Sequence, residues 1–256
     1  MKTTKTKKPK VIKEPNVKPK IIPNGYIGVT DWVKQYTHEF DDRGTAIGLK
    51  KRSNDTGTPT LGINNQVKYW KLNTERHQYY GKALHAFAEM YDIDNNTLTL
   101  TLKEVQVSEF LKRLYKGYTN IGNELYTYND IYQIHGRIDK LVRNNNTGKY
   151  RIIDYKPSCD LDKTYNNMRK PFSKYPQSKR LLSEMQMLLY TLCGNIEVSK
   201  GNILQLTPDD FEPNTIVVIY DNTYELHIPQ YDIKAIVIQE LELRRNYENE
   251  LKEVIC

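Results

Sequence analysis

The charged residues best placed to act together are Asp139, in Gly136-Arg137-Ile138-Asp139, and Asp154 and Lys156, in Ile152-Ile153-Asp154-Tyr155-Lys156. Both segments are β-rich. Between them Asn144-Asn145-Asn146-Thr147-Gly148 supplies residues that tolerate positive φ, so Tyr132 to Arg143 and Tyr150 to Pro157 read as the two strands of a hairpin. Antiparallel pairing brings both aspartates to one end of the sheet. Side chains alternate along a strand, so Asp154 and Lys156 point one way and Tyr155 the other. Asp154 follows two isoleucines, and its carboxylate therefore emerges from a buried strand, where an unpaired charge is costly. Two carboxylates at one point repel unless a cation joins them. Oxygen ligands of this kind suit Mg²⁺ or Mn²⁺ rather than zinc, and the Tyr155 backbone carbonyl would add another. A neighbouring ammonium would orient or help deprotonate a water and offset charge on a pentavalent phosphate. That is equipment for phosphodiester hydrolysis. Taken alone, D-x-K is far more often a solvated same-face pair than a catalytic one, and Asp139 and Lys140 read as ordinary edge charges.

Two more pairs lie four residues apart, the spacing of one helical face: Gly81 and His85, then Gln186 and Tyr190. By itself His85, among Ala83, Leu84, Ala86 and Phe87, reads as a partly buried histidine, and Tyr190 as core. The order G-x-x-x-H, G-x-x-D, D-x-K, Q-x-x-x-Y resembles the RecB-like branch of the PD-(D/E)XK nuclease superfamily over roughly Trp70 to Tyr190. Trp70, upstream of Gly81, makes the chain similar to mitochondrial genome-maintenance exonucleases and related phage or giant-virus proteins.

The resemblance implies an α/β fold with a restriction-endonuclease-like core, a central mixed β-sheet flanked by helices, the first helices forming a partial arch over the site. It implies His85, Asp139 and Asp154 as metal ligands with the Tyr155 carbonyl, Lys156 as the catalytic lysine, and Gln186 and Tyr190 as residues that position the lysine or the DNA. Glu124, fifteen residues before Asp139, falls near an acidic position on the preceding strand in relatives. The implied activity is Mg²⁺- or Mn²⁺-dependent hydrolysis of DNA, exonucleolytic, with preference for single strands or free ends, in replication, recombination or repair. Alternatives on the same fold are an inactive nucleic-acid-binding module and a subunit that depends on a helicase or recombinase partner. Against the first, every expected catalytic position is filled. CRISPR adaptation nucleases share the core but add four cysteines, and this chain has three isolated ones. It carries no P-loop sequence.

The elements that must position these residues are legible in part. Thr30 is expected to cap a short helix running to about Phe40. Asp41 to Gly62, rich in Gly, Asn, Asp, Thr and Pro, is expected to be a loop. Val67 to Tyr91 has helical periodicity, and Leu98 to Leu114 begins with strand-like alternation before turning helical. A basic loop holding Lys163, Arg169, Lys170, Lys174, Lys179 and Arg180 precedes an amphipathic helix at Leu181 to Leu192. Strands are expected at Ile203 to Leu206, Thr215 to Tyr220 and Tyr224 to Ile228, then a charged helix from about Tyr231.

Composition sets the outer bounds. A net charge of +7 favours a polyanionic partner weakly, since 38 basic residues face 31 acidic ones. Much of the excess lies in Met1 to Lys20, with eight lysines against Glu14 alone. Residues 1–24 are expected to be a disordered basic tail and 25–256 the nuclease domain. Isolated cysteines, no apolar run long enough to span a bilayer and no signal-peptide pattern predict an intracellular, cytoplasmic protein without a membrane partner. Abundant Tyr, Asn, Lys and Ile fit A/T-rich coding, and so a phage, a virus or a low-GC host; a phage or viral source would place the protein in the host cytoplasm.

Overall fold

The structure, a computed structural model, describes residues 25–156, 161–218, 223–225 and 231–255. The expected basic tail lies outside them, as do Cys159 and Cys256. The chain folds around an eight-stranded mixed sheet. Its centre is a meander of β2 (Tyr118–Asn129), β3 (Ile134–Asn144) and β4 (Tyr150–Lys156), all antiparallel, with the Asn144 to Gly148 turn where the sequence placed it. Gly148 takes φ 74°, which only a residue without Cβ adopts freely. Beyond β4 come β9 (Thr215–Val218), parallel to it, and β10 (Thr223–Glu225); beyond β2 come β7 (Asn195–Ser199) and β8 (Asn202–Gln205). The two-residue β1 (Ile27–Gly28) pairs in parallel with the start of β3. β2 and β7 had no counterpart among the expected strands, although Glu124 was assigned to a strand before Asp139.

Helices cover the two faces unequally. On one side α1 (Val29–Lys34), α5 (Lys179–Cys193) and α6 (Tyr231–Ile255) bury Trp32, Met185, Leu188, Leu189, Val237 and Leu241 against Ile134, Ile138, Leu141 and Ile152. On the other, α3 (Ile63–Ile93) and α4 (Leu102–Leu114) bury Leu84, Phe87, Leu111 and Leu114 against Val142, Ile153, Tyr155 and Val217. Ser178 caps α5 by accepting from Leu181 N–H at 3.1 Å. The start of α4 is fixed by a capping box, Thr101 with Glu104, so the alternating Leu98 to Leu102 run is not a strand.

Three expectations are corrected. Thr30 lies inside α1, whose N-cap is Gly28 without a side-chain hydrogen bond and which ends at Lys34 rather than near Phe40. Asp41 to Gly62 is mostly helix, α2 (Asp42–Thr56). The loop-forming residues are its caps: Asp41 accepts from Gly44 N–H at 2.8 Å, and Gly57 ends it at φ 69°. Only Ala46 and Ser53 are buried along it, so it carries no amphipathic signal. The basic loop is not featureless either. It forms a small two-stranded sheet, β5 (Thr164–Asn167) with β6 (Pro176–Ser178), and is anchored by buried Met168 and Phe172, the latter edge-on to Trp32 and Tyr36.

Candidate active site

The candidate site forms where the β3–β4 ladder ends. Pairing runs from Arg143 with Tyr150 to Lys140 with Ile153. The next level holds Asp139 and Asp154, and on β2 the register that sets Asn123 against Lys140 and Leu125 against Ile138 puts Glu124 at that level too. Three carboxylates thus stand in one row across three adjacent strands.

Strand alternation breaks at this row. Ile138 and Leu141 both join the core beneath α5, while Lys140 and Val142 turn toward α3 and α4, so Asp139 and Lys140 successively face α3. On β2, Asn123 and Glu124 do the same, and Glu124 takes φ 50°, a strained conformation for a residue with Cβ. Each strand therefore sends one residue into a buried polar network and one into the site.

The site residues converge on His85 of α3. Its Nδ1 lies 3.4 Å from Glu124 Oε1 and its Nε2 3.6 Å from Asp139 Oδ2 and 3.3 Å from the Tyr155 carbonyl oxygen. The Asp139 Oδ2 also accepts from Tyr155 N–H at 3.0 Å. Among the described residues, His85, Glu124 and Asp139 form the group able to share one cation, with ligand atoms all within 4.8 Å of one another. Asp154 stands just outside it. Its carboxylate faces the other way along β4 and pairs with Lys156, Oδ2 to Nζ 2.6 Å. Of the expected ligand set, the structure draws His85, Asp139 and the Tyr155 carbonyl together, gives Glu124 the firmer place, and sets Asp154 with the lysine.

Electrostatics express the crowding. Burial, and next the Asp154 charge, push the Asp139 carboxyl up to about 7. Burial would lower His85, but the Glu124 hydrogen bond and the Asp139 charge outweigh it and lift the imidazole to about 9. Lys156 is also pulled down by burial, yet the Asp154 charge and hydrogen bond leave it above its ordinary value. The carboxylates outnumber the cations and hold protons nearby.

Gln186 is tied to Tyr190 and to Thr30 of α1. Tyr190 is 5 % exposed in the core beneath the sheet, and its hydroxyl accepts from Gln186 Nε2 at 3.0 Å; the same amide donates to Thr30 at 3.1 Å. Tyr190 packs on Gly136, where an added Cβ would lie 2.5 Å from its ring carbon Cε1. The glycine of G-x-x-D and the tyrosine of Q-x-x-x-Y thus form one contact. Gln186 and Lys156 line a cavity of about 700 Å³ closed on the far side by Thr74, His77, Gln78 and Gly81 of α3. α3 has 31 residues and so spans about 46 Å at about 1.5 Å each.

No protein-family model and no curated protein matches the chain. Its reading rests on its own residues.

Sequence reasoning missed the network under the site. Lys140 is wholly buried, not an edge charge. It pairs with Asp92 of α3, donates to Asn123 Oδ1 at 2.6 Å and lies 3.0 Å from the Tyr115 hydroxyl, while Tyr115, Asn120 and Asn123 also donate to Asp92. Asp92 is seven residues, two helical turns, beyond His85, so this cluster ties α3 to the strands that carry Glu124 and Asp139. The one available signal was Asp92 at helical spacing from His85.

Proposed function

We propose that the protein is a divalent-metal-dependent deoxyribonuclease with a restriction-endonuclease-like core of the PD-(D/E)XK type. The observation that carries this reading is the convergence of His85, Glu124 and Asp139 beside the Asp154–Lys156 pair at one level of three adjacent strands. The donor set fits the group: two carboxylates and a backbone carbonyl give oxygen ligands suited to Mg²⁺ or Mn²⁺, and the imidazole supplies one nitrogen. Asp139, held at about 7 by burial and Asp154, lacks the positive charge that a cation would provide.

When bound, such an ion polarises a phosphoryl oxygen and lowers the pKa of water. The protein's own groups do the remainder. Lys156 stays an ammonium, because Asp154 holds its proton, so it stabilises negative charge developing on phosphate rather than acting as the base. Asp154 fixes that ammonium at 2.6 Å. Gln186, anchored on Thr30 and Tyr190, presents its amide at the cavity wall beside Lys156, where it meets a strand entering the site. The proposed substrate is a DNA chain with unpaired bases or a free end, in keeping with an exonuclease of replication, recombination or repair, alone or with a helicase or recombinase.

Cleavage of end-labelled single-stranded, duplex and covalently closed circular DNA in Mg²⁺, Mn²⁺ or EDTA tests the proposal. Linear DNA should be lost with either metal, circles spared and EDTA inhibitory. Asp154→Ala and Lys156→Ala should each lower the rate at least a hundredfold with the fold retained. Full activity in both variants would sink the assignment; binding without cleavage by wild type would favour an inactive or partner-dependent module.

A further inference from the structure

The face of the sheet that carries Glu124 and Asp139 continues beyond them. Along β2 the next residues on that face are Tyr126 and Tyr128, and across from them on β3 stand Arg137 and His135. Two residues of strand span about 7 Å, so the two rings stand roughly 7 and 13 Å beyond Glu124. The tyrosine rings stack on each other, centroids 5.9 Å apart and planes 28° from parallel, and His135 lies 5.9 Å from Tyr126. Both tyrosines are only half-buried, and neither joins a hydrophobic cluster, although the opposite face at Leu125 and Ile134 is packed under α5. The Arg137 side chain is 63 % exposed, and its guanidinium, 3.7 Å from Glu124, joins this surface to the cation-holding group.

We propose that this surface is a stacking subsite for unpaired nucleobases of the DNA strand cleaved at His85, Glu124 and Asp139, a reading that rests on the proposed nuclease function. Three features select that occupant. The surface is continuous with the candidate site through Glu124 and Arg137. It offers ring faces rather than the aliphatic area of a protein-binding patch, and aromatic rings accept any base because every base has a π-face. Its guanidinium supplies a contact for the backbone phosphate between stacked bases. Duplex DNA keeps its base faces within its own stack, so the surface selects single strands. The site then lies between two substrate contacts, the cavity at Lys156 and Gln186 on one side and the tyrosines on the other.

The test uses the full chain and a single-stranded oligonucleotide with 2-aminopurine at successive positions, in EDTA so that binding is read without cleavage. At one or two adjacent positions the fluorescence should be quenched on binding. Tyr126→Thr with Tyr128→Thr should abolish that quenching and weaken binding about tenfold per ring, whereas Tyr126→Phe with Tyr128→Phe, which keep the rings, should retain both. Hydrolysis of a minimal phosphodiester, bis(4-nitrophenyl) phosphate with Mn²⁺, should be equal in all three proteins, because it does not reach the tyrosines. Unchanged quenching and affinity in the threonine variant would overturn the subsite while leaving the nuclease reading intact. Equal losses in the phenylalanine variant would overturn stacking as the mechanism. Wild type that fails to bind the oligonucleotide would overturn both readings. A threonine variant with altered mass by light scattering would show the face to be a subunit interface and overturn the subsite.

Discussion

Gly136→Ala is the substitution whose consequence the structure defines most narrowly. The added Cβ would stand 2.5 Å from Tyr190 Cε1 and 3.4 Å from Val29 Cγ2. Carbon atoms at their best separation sit about 3.5 to 4.0 Å apart, so the ring must retreat by about 1 Å into a core that includes Leu189 and Ile138. Overpacking of this size costs about 1–3 kcal/mol. Urea denaturation of wild type, Gly136→Ala, Tyr190→Leu and the double variant closes a mutant cycle. Tyr190→Leu loses packing of its own, but it removes the offending Cε1, so the double variant should be more stable than the sum of the singles predicts, by at least about 1 kcal/mol. Tyr190→Phe keeps the ring and should give no such relief, while losing the Gln186 hydrogen bond at 3.0 Å. Additive effects would refute the claim that the motif glycine is needed for the tyrosine's approach.

Other outcomes follow from single interactions. Lys140→Met leaves Asp92 buried and opposed by no cation in the network, so a loss of about 3–5 kcal/mol is expected in chemical denaturation, with activity falling because α3 carries His85. Glu212 accepts from Tyr118, Asn144 and Thr147 at 2.8 to 2.9 Å and pairs with Arg151 at 3.2 Å. Burial pushes its carboxyl up, but these donors together hold it below its ordinary value, so its contribution is full above an unfolded value near 4.5 and is lost as pH falls through the folded one. Glu212→Gln should therefore destabilise at pH 7, by a difference that shrinks as pH falls below 4.5, read by thermal melts across pH. His85, raised to about 9, is protonated at neutral pH, and a cation must displace that proton. Mn²⁺ affinity should rise between pH 7 and 9, and calorimetry in buffers of different ionisation enthalpy should show proton release that His85→Ala reduces to the part contributed by Asp139.

The legible parts of the fold were those with local signals. The Asn144 to Gly148 turn fixes the hairpin, and the strong amphipathic face of α5 fixes that helix almost to the residue. β2 was missed because Asn120, Asn123 and Glu124 break the pattern of a half-buried strand, and they do so because they serve the polar network and the site. The same conflict hid the site's geometry. Strict alternation cannot set Asp139 and Lys140 on one face, and no sequence pattern announces the register shift at Asn120 to Gly122 or the positive φ at Glu124. The pairing of Asp154 with Lys156, by contrast, follows from their separation by one residue on a regular strand.

The two cores on opposite faces of the sheet would give a cation bound as proposed a second office. His85 stands on α3, whose apolar anchor is the smaller cluster with α4, whereas Glu124 and Asp139 stand on strands also held by the larger one. An ion joining them would rivet the overhanging helix to the sheet, and its binding energy would add to the work of local opening there. Amides in α3 and α4 should then exchange with solvent faster than those of β3 and α5, and metal should slow that exchange first around His85. Reversible detachment of one layer, governed by ion occupancy, would let a bound strand enter sideways and be clamped on loading.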